Sequence, residues 1–251
     1  MVDFYERLIK ERFKGQRSFS RADLFDFYLE YEPNLKKPTF GWRVYDLRQK
    51  GIIRTIAKGV YALSCKPEYE PHLSEKARKI ARLFVRKLSG SNYCISETSW
   101  LNEFSIHQTN SSAIVLEVEK DLLDSAFFTL KDEIKDLYLQ PSPKEMEMYV
   151  LEKEDPVVLK SLISRSPTQE KRDKNLTINL PQLEKLLVDV YCDRQIYFFY
   201  SGVELRNIFN NAFDRYTINL SRLRNYAKRR GKGMEVEAFM SHEVTASLTK
   251  S

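Results

Sequence analysis

The sequence lacks the features that mark secreted, zinc-binding and membrane-spanning proteins. Its three cysteines, Cys65, Cys94 and Cys192, lie far apart and form no CxxC pair, so they predict neither a disulfide framework nor a zinc site. There is no run of about eighteen apolar residues that could cross a bilayer. Residues 1–7 mix acidic and basic side chains, whereas a signal peptide needs an apolar segment. We therefore expect reduced thiols, no membrane partner and a cytoplasmic location.

Catalytic and cofactor-binding motifs are also missing. The three histidines have no metal-ligand spacing, and neither a P-loop nor a GxGxxG motif occurs. Two weak alternatives stay open. Gly90-Ser91, followed much later by Glu117 and Glu119, loosely resembles a nucleotidyltransferase motif, and Glu133-Ile134-Lys135 resembles the ExK of some nucleases. Because ExK is also common on solvated helix faces, we predict no enzymatic activity, no cofactor and no metal site.

Positive charge is concentrated near the N-terminus. The chain has a net charge of +6, and residues 1–66 account for all of it, with 14 Lys and Arg against 8 Asp and Glu. Within that stretch, residues 36–66 hold 8 basic residues and a single acid, Asp46. A basic excess in so short a segment is the electrostatic footprint expected of a contact with nucleic acid.

The same N-terminal stretch has the pattern of a winged helix-turn-helix. Helical periodicity predicts three helices, the last over residues 38–50, with Phe40, Val44 and Leu47 on one core-facing arc. Alternating segments on either side of Ala57-Lys58-Gly59 predict a hairpin with glycine at its tip. This element order is typical of a winged helix that binds duplex DNA, or alternatively of one that binds protein.

The outer face of the third helix and the hairpin supply the candidate DNA contacts. We expect this helix to enter a major groove, so that some side chains face base edges and others contact the phosphate backbone. For Trp42 the alternative is packing against another part of the chain. The predicted base-facing residues are Trp42, Arg43, Tyr45 and Gln49, and the predicted backbone contacts are Lys36, Lys37, Thr39, Arg54 and Lys58.

The rest of the chain predicts a larger mixed α/β domain with a helical C-terminal end, which makes the whole chain α+β. With the winged helix-turn-helix over 1–68, the larger domain occupies 91–251 and follows a linker helix over 69–90. Beyond residue 180 the pattern is mostly helical. The other predicted elements are strands at 113–118, 146–151 and 157–163 and an amphipathic helix at 122–137.

A second basic run lies in the last long helix predicted. It contains six basic residues and no acid. It predicts either a second contact with nucleic acid or an acidic partner, or a solvated helix face whose cations suit a helix C-terminus. Its members are Arg222, Arg224, Lys228, Arg229, Arg230 and Lys232.

Short segments at both ends of the chain form an ordered series. They are Leu47–Arg54 with Lys58–Tyr61, then Leu183–Asp189, then Ala212–Tyr216 with Asn219–Ala227. In this order they resemble the antitoxins of abortive-infection type E systems, also called type IV toxin–antitoxin systems. Members of that family look like an N-terminal winged helix followed by a larger antitoxin domain. The resemblance over residues 90–175 extends only to the order of elements.

The resemblance implies a repressor of its own operon that also counteracts a cognate nucleotidyltransferase toxin. The N-terminal module would bind double-stranded operator DNA, and the larger domain would carry the antitoxin function. Two alternatives belong to other classes. One is a nuclease or nucleotidyltransferase with a winged-helix targeting domain, and the other is a winged-helix module that binds only protein.

Overall fold

Helices and short strands succeed one another along the chain, and the predicted α+β class is confirmed. The helices are α1 (Val2–Arg12), α2 (Arg21–Tyr31), α3 (Lys37–Gln49), α4 (Glu75–Lys87), α5 (Leu123–Leu130), α6 (Pro143–Glu145), α7 (Leu183–Cys192), α8 (Val203–Arg215), α9 (Leu220–Arg229) and α10 (Gly233–Phe239). The strands are β1 (Phe19–Ser20), β2 (Ile53–Ala57), β3 (Val60–Leu63), β4 (Tyr93–Glu97), β5 (Ile114–Val118), β6 (Leu137–Leu139), β7 (Val157–Ser161), β8 (Thr168–Asp173) and β9 (Leu176–Pro181).

The chain divides into two units, of which the first contains residues up to Glu68 and the segment Phe213–Ser221. The second contains Tyr69–Ala212 and Arg222–Val244. The structure, a computed structural model, describes residues 2–16, 18–64, 66–109, 111–150, 152–173 and 176–244. Across these residues, no helix combines the length and the apolar character needed to cross a membrane. Cys65, which the sequence predicts to be a reduced thiol, lies outside the described residues.

The first unit contains the helices and the hairpin predicted for it. Strands β1, β3 and β2 form a three-stranded antiparallel sheet in that order. The predicted core arc of α3 is confirmed, because Phe40, Val44 and Leu47 are each at most 3 % exposed. They pack in one cluster with residues of α1, α2 and the hairpin, including Ile9, Leu24, Phe27 and Ile53. The core therefore fixes which face of α3 remains outside.

The residue that follows the C-cap of α3 is a glycine that could not readily be replaced. Gly51 has φ +68, a left-handed conformation that L side chains rarely adopt. A Cβ there would lie 3.0 Å from Cγ2 of Thr217. Thr217 itself donates its backbone N–H to the carbonyl of Pro67 at 2.9 Å and its hydroxyl to the carbonyl of Lys66 at 2.7 Å. The 213–221 segment is thus fastened to the residues that follow the hairpin.

The second unit contains a four-stranded sheet in the order β4-β5-β7-β6. Strand β4 pairs antiparallel with β5, whereas β5–β7 and β6–β7 are parallel pairs. In this register Glu117 of β5 lies opposite Lys160 of β7. Strands β8 and β9 form a separate antiparallel hairpin. The sequence predicted β5 and β7 but neither β4 nor this hairpin.

Two predicted elements of the second unit are wrong. The helix expected over 122–137 ends at Leu130, and residues 137–139 form a strand. The strand expected over 146–151 is helical as far as Val150, and Leu151 lies outside the described residues. The physical reason for the second error is a capping box, in which Ser142 and Glu145 bond reciprocally through side chain and backbone and start a helix just before Met146.

Residues 69–90, predicted as a linker helix, are counted within the second unit. Helix α4 buries Ala77, Ile80, Ala81 and Phe84, and the Phe84 ring lies 4.7 Å from that of Tyr93 in β4. Here α4 forms part of a core.

We predict that Ser20→Ala destabilises the first unit. The Ser20 hydroxyl accepts the Asp23 N–H at 3.1 Å, and Asp23 accepts the Ser20 N–H at 2.7 Å. Loss of such a cap costs about 1 kcal/mol. Urea denaturation followed by circular dichroism should show this loss, whereas Ser18→Ala, at an exposed position two residues earlier, should leave the transition unchanged. Equal effects of the two substitutions would contradict the capping role.

Candidate nucleic-acid interface and a buried charge network

The outer face of α3 carries two large aromatic side chains. Trp42 is 67 % exposed and Tyr45 is 54 % exposed, so Trp42 does not take the alternative of packing against another part of the described chain. Lys36, Lys37 and Thr39, at the start of the helix, are exposed as well. The sequence therefore identified the surface of this helix from the position of its core arc.

Arg43 was predicted to face base edges, but in the structure its guanidinium contacts other residues of the first unit. Its Nη2 atom donates to both carboxylate oxygens of Glu32, at 2.9 and 3.0 Å, and its guanidinium carbon lies 5.3 Å from the ring of Tyr5 and 5.0 Å from that of Tyr28. The Tyr5 hydroxyl also donates to Glu32 at 2.5 Å, and this bond, followed by Arg43, lowers the pKa of Glu32. Arg43 holds α3 against α1 and the end of α2, so we assign it a positioning role.

Lys50, the C-cap residue of α3, also forms ion pairs within the first unit. Its amine contacts Glu6 at 2.6 Å and Asp46 at 2.8 Å. Asp46 is the single acid of residues 36–66, and it shares the Lys50 ammonium with Glu6. The negative charge of this stretch is therefore confined to the ion pairs at the end of α3.

Five cations of α3 and the hairpin are exposed and form no ion pair with any described residue. Four of them were predicted backbone contacts. The fifth, Arg48, was missed, although its place beside the outer arc of the helix could have identified it. Gln49, predicted to face bases, is half-buried. The five are Lys36, Lys37, Arg48, Arg54 and Lys58.

Arg21, the first residue of α2, connects the hairpin to α3. Its backbone N–H donates to the carbonyl of Gly59 at the hairpin tip, at 2.8 Å. Its guanidinium approaches the Tyr61 hydroxyl at 3.4 Å and lies 4.9 Å from the centre of the Phe40 ring. One side chain therefore touches both elements that carry the unpaired cations.

The second basic run does not form a free cationic face. Arg222 pairs with Glu184 at 3.3 Å, Arg224 with Glu237 at 2.7 Å, and Lys232 with Glu235 at 3.0 Å. Arg229 approaches the Ser164 hydroxyl at 3.5 Å, and Lys228 is exposed. Arg230 does not belong to an exposed face of the run, since its side chain is only 11 % exposed and forms ion pairs. The six residues are therefore neither all part of a contact surface for nucleic acid or an acidic partner nor all part of a solvated helix face.

The interior of the second unit holds a network of charged side chains. Lys185 of α7 is 1 % exposed and contacts both Glu117 and Asp189, the latter at 2.5 Å. The Tyr226 hydroxyl of α9 donates to Asp189 at 2.9 Å. Two of the segments that carry the antitoxin resemblance, Leu183–Asp189 and Asn219–Ala227, thus meet in this network.

A second half of the network reaches toward solvent. Lys160 contacts Asp193 at 2.6 Å and Glu117 at 3.3 Å. Arg230 contacts Asp193 at 2.5 Å and Asp189 at 3.3 Å. Together with Lys185, these side chains comprise three carboxylates and three cations, so their formal charges cancel. A cavity of about 290 Å³ opens beside Lys160, Asp193 and Arg230.

Mutual compensation keeps the network ionised. Burial alone would raise the pKa of Asp189, but Lys185, Lys160 and Arg230 outweigh it and hold that pKa below its ordinary 3.8. Burial would lower the pKa of Lys185, but Asp189 and Glu117 hold it well above 10.5. Asp189 therefore stabilises the fold above pH 3.8 and loses this effect as pH falls through its lowered pKa, whereas the contribution of Lys185 is full below pH 10.5.

The carboxylates considered as catalytic alternatives do not converge. Glu117 is engaged by Lys185 and Lys160, whereas Glu119 accepts a hydrogen bond from Asn92 at 2.5 Å. Glu133 is exposed and paired with cations of α4. Over the residues that the structure describes, no group of three His, Cys, Asp or Glu side chains is arranged to hold a metal ion.

A protein-family comparison matches residues 39–246 to a family of unknown function, DUF6577. The chain belongs to the DUF6577 family. The match begins inside α3, so the family region includes Trp42, Tyr45, the hairpin and the whole charge network. No curated protein is significantly similar to the chain.

We predict that Arg43→Ala destabilises the first unit and that Arg48→Ala does not. Removal of Arg43 leaves the Glu32 carboxylate with fewer donors and uncovers two tyrosine rings, which should lower the free energy of unfolding by about 1 kcal/mol. Arg48 is exposed and unpaired among the described residues, so its loss should have little effect. Urea denaturation compares the two variants. If they were equally stable, Arg43 would have no positioning role.

We predict a much larger effect from Lys185→Met. This change leaves Glu117 and Asp189 buried with too little positive charge, which typically costs about 3–5 kcal/mol. The matched control is Lys87→Met in α4, whose amine pairs with Glu133 near the surface and should matter little. A small loss for Lys185→Met in urea denaturation would mean that the network does not stabilise the unit.

Proposed function

We propose that the first unit binds duplex DNA as a winged helix, with α3 in the major groove and the β2–β3 hairpin beside it. The observation that carries this proposal is the separation of charges on this surface. Arg43 and Lys50 are neutralised by acids of the same unit, whereas Lys36, Lys37 and three further cations stay exposed and unpaired among the described residues. A polyanion supplies the missing negative charge.

The contacts fall into two classes. Trp42 and Tyr45 face the base edges, because they lie opposite the core arc of α3. Lys36, Lys37, Arg54 and Lys58, joined by Arg48, contact phosphates and supply most of the affinity. Thr39 approaches the backbone at the helix N-terminus.

For the whole chain we propose a cytoplasmic autorepressor that acts as antitoxin toward a cognate nucleotidyltransferase toxin. Support comes from the resemblance of the motif segments to type IV antitoxins and from the contact of two of them, Leu183–Asp189 and Asn219–Ala227, in the charge network. Co-expression with an adjacent nucleotidyltransferase gene tests this role: the chain should restore growth, and failure to do so would contradict it. We propose no enzymatic activity, and a metal-dependent nuclease activity abolished by Glu133→Gln, at an exposed position, would overturn that position.

We predict a steep salt dependence of DNA binding. Five phosphate contacts give a slope of log affinity against log salt of about −4.5, at about 0.9 per contact. The probe is a fluorescent duplex of the DNA upstream of the protein's own coding sequence, titrated with the full chain by anisotropy. Arg54→Ala/Lys58→Ala should make the slope shallower by about 1.8.

The control for this titration is Lys144→Ala, which removes an exposed lysine of the second unit and should leave the slope unchanged. Absence of binding even at about 50 mM salt would end the DNA proposal. Binding with an unaltered slope in the double variant would exclude the hairpin as a contact.

A further inference from the structure

We propose that Trp42 and Tyr45 recognise the C5-methyl groups of thymine in the major groove, so that the preferred sites are rich in thymine at the positions under α3. This inference rests on the proposed DNA binding. It goes further in assigning the sequence preference to apolar contact and in naming the chemical group that is recognised.

The first support is the geometry of the helix surface. At 100° per residue, Trp42, Tyr45 and Gln49 fall within an arc of about 60° on the side away from Phe40 and Leu47. Both rings are more than half exposed, and no aromatic ring or cation of the described residues stacks on either. The two rings are i, i+3 neighbours on the helix, and adjoining exposed apolar surface rimmed by polar side chains marks a contact surface.

The second support is the loss of the guanidinium that would otherwise dominate the readout. Arginine contacts to guanine are the most frequent specific base contacts. Arg43, adjacent to Trp42, is held by both oxygens of Glu32 and is therefore unsuited to that contact. The exposed part of the outer arc is therefore formed by the rings of Trp42 and Tyr45, whereas Gln49 in the same arc is half-buried.

The third support is the chemistry of the groove itself. The thymine methyl is the apolar group that the four bases display at their major-groove edges, and apolar side chains contact it. A protein partner is the other class of molecule that could cover two exposed rings. The neighbouring Lys36, Lys37 and Arg48, unpaired among the described residues, favour a polyanion instead.

The experiment removes the methyl group and nothing else. A site is first selected from a random duplex library with the full chain, and each thymine in it is then replaced by deoxyuridine, which pairs with adenine in the same way. Each contacted methyl should contribute about fourfold in affinity. Replacement of the thymines under α3 should therefore weaken wild-type binding by about sixteenfold for two methyl groups.

Variants then assign the effect to the two rings. In Trp42→Ala and Tyr45→Ala the penalty for deoxyuridine should shrink, each variant losing the fourfold share of its own methyl. Both positions are exposed, so the fold should be preserved, which circular dichroism checks. Phe128→Ala, which removes a 62 % exposed ring of the second unit, should keep the full penalty.

The possible failures are distinguishable. If a selected site is bound equally well with thymine and deoxyuridine, or if no sequence is enriched although duplex is bound, this inference is wrong while the DNA-binding proposal stands. If the penalty persists in both ring variants, thymine is read by other residues and the assignment fails. If no duplex is retained at low salt, the proposed function fails and this inference with it.

Discussion

Charge compensation under burial governs both units of this chain. Among the described residues, the guanidinium of Arg43 meets Glu32, and the buried ammonium of Lys185 meets Glu117 and Asp189. An uncompensated buried charge would cost several kcal/mol. The cations of α3 and the hairpin that remain without partners among the described residues are accordingly exposed ones.

The two units apply this rule with different results. In the second unit three carboxylates and three cations from β5, β7, α7, the residue after α7 and the end of α9 neutralise one another, so the network joins several elements without presenting a net charge. In the first unit the pairing is incomplete on one side. The network of the second unit is neutral in sum, and under the DNA-binding proposal the unpaired cations of the first unit attract a polyanion.

Local patterns allowed correct prediction where one face of an element decides its position. The spacing of Phe40, Val44 and Leu47 predicted the core face of α3, but it left open whether Trp42 is exposed or packs against another part of the chain. The alternation of Met146, Met148 and Val150 predicted a strand wrongly, because the Ser142–Glu145 capping box starts a helix there. Strand β8 was missed since it contains no apolar residue to reveal its alternation.

Pairings between residues distant in sequence could not be predicted from pattern at all. Arg230 belongs to a basic run that resembled a solvated helix face. In the structure it is largely buried, because it forms ion pairs with Asp189 and Asp193, roughly forty positions earlier in the chain. Arg43 was similarly withdrawn from the predicted DNA contacts by Glu32. In both cases the sequence showed the charge of the residue and gave no information about its partner.

The return of residues 213–221 to the first unit has a consequence for dissecting the protein. The chain passes from one unit to the other more than once, so neither unit is a single continuous stretch. A fragment ending at Glu68 would lose Thr217, with its bonds to Lys66 and Pro67 and its contact beside Gly51. The isolated N-terminal fragment would thus be an incomplete folding unit, and the two halves are covalently interleaved.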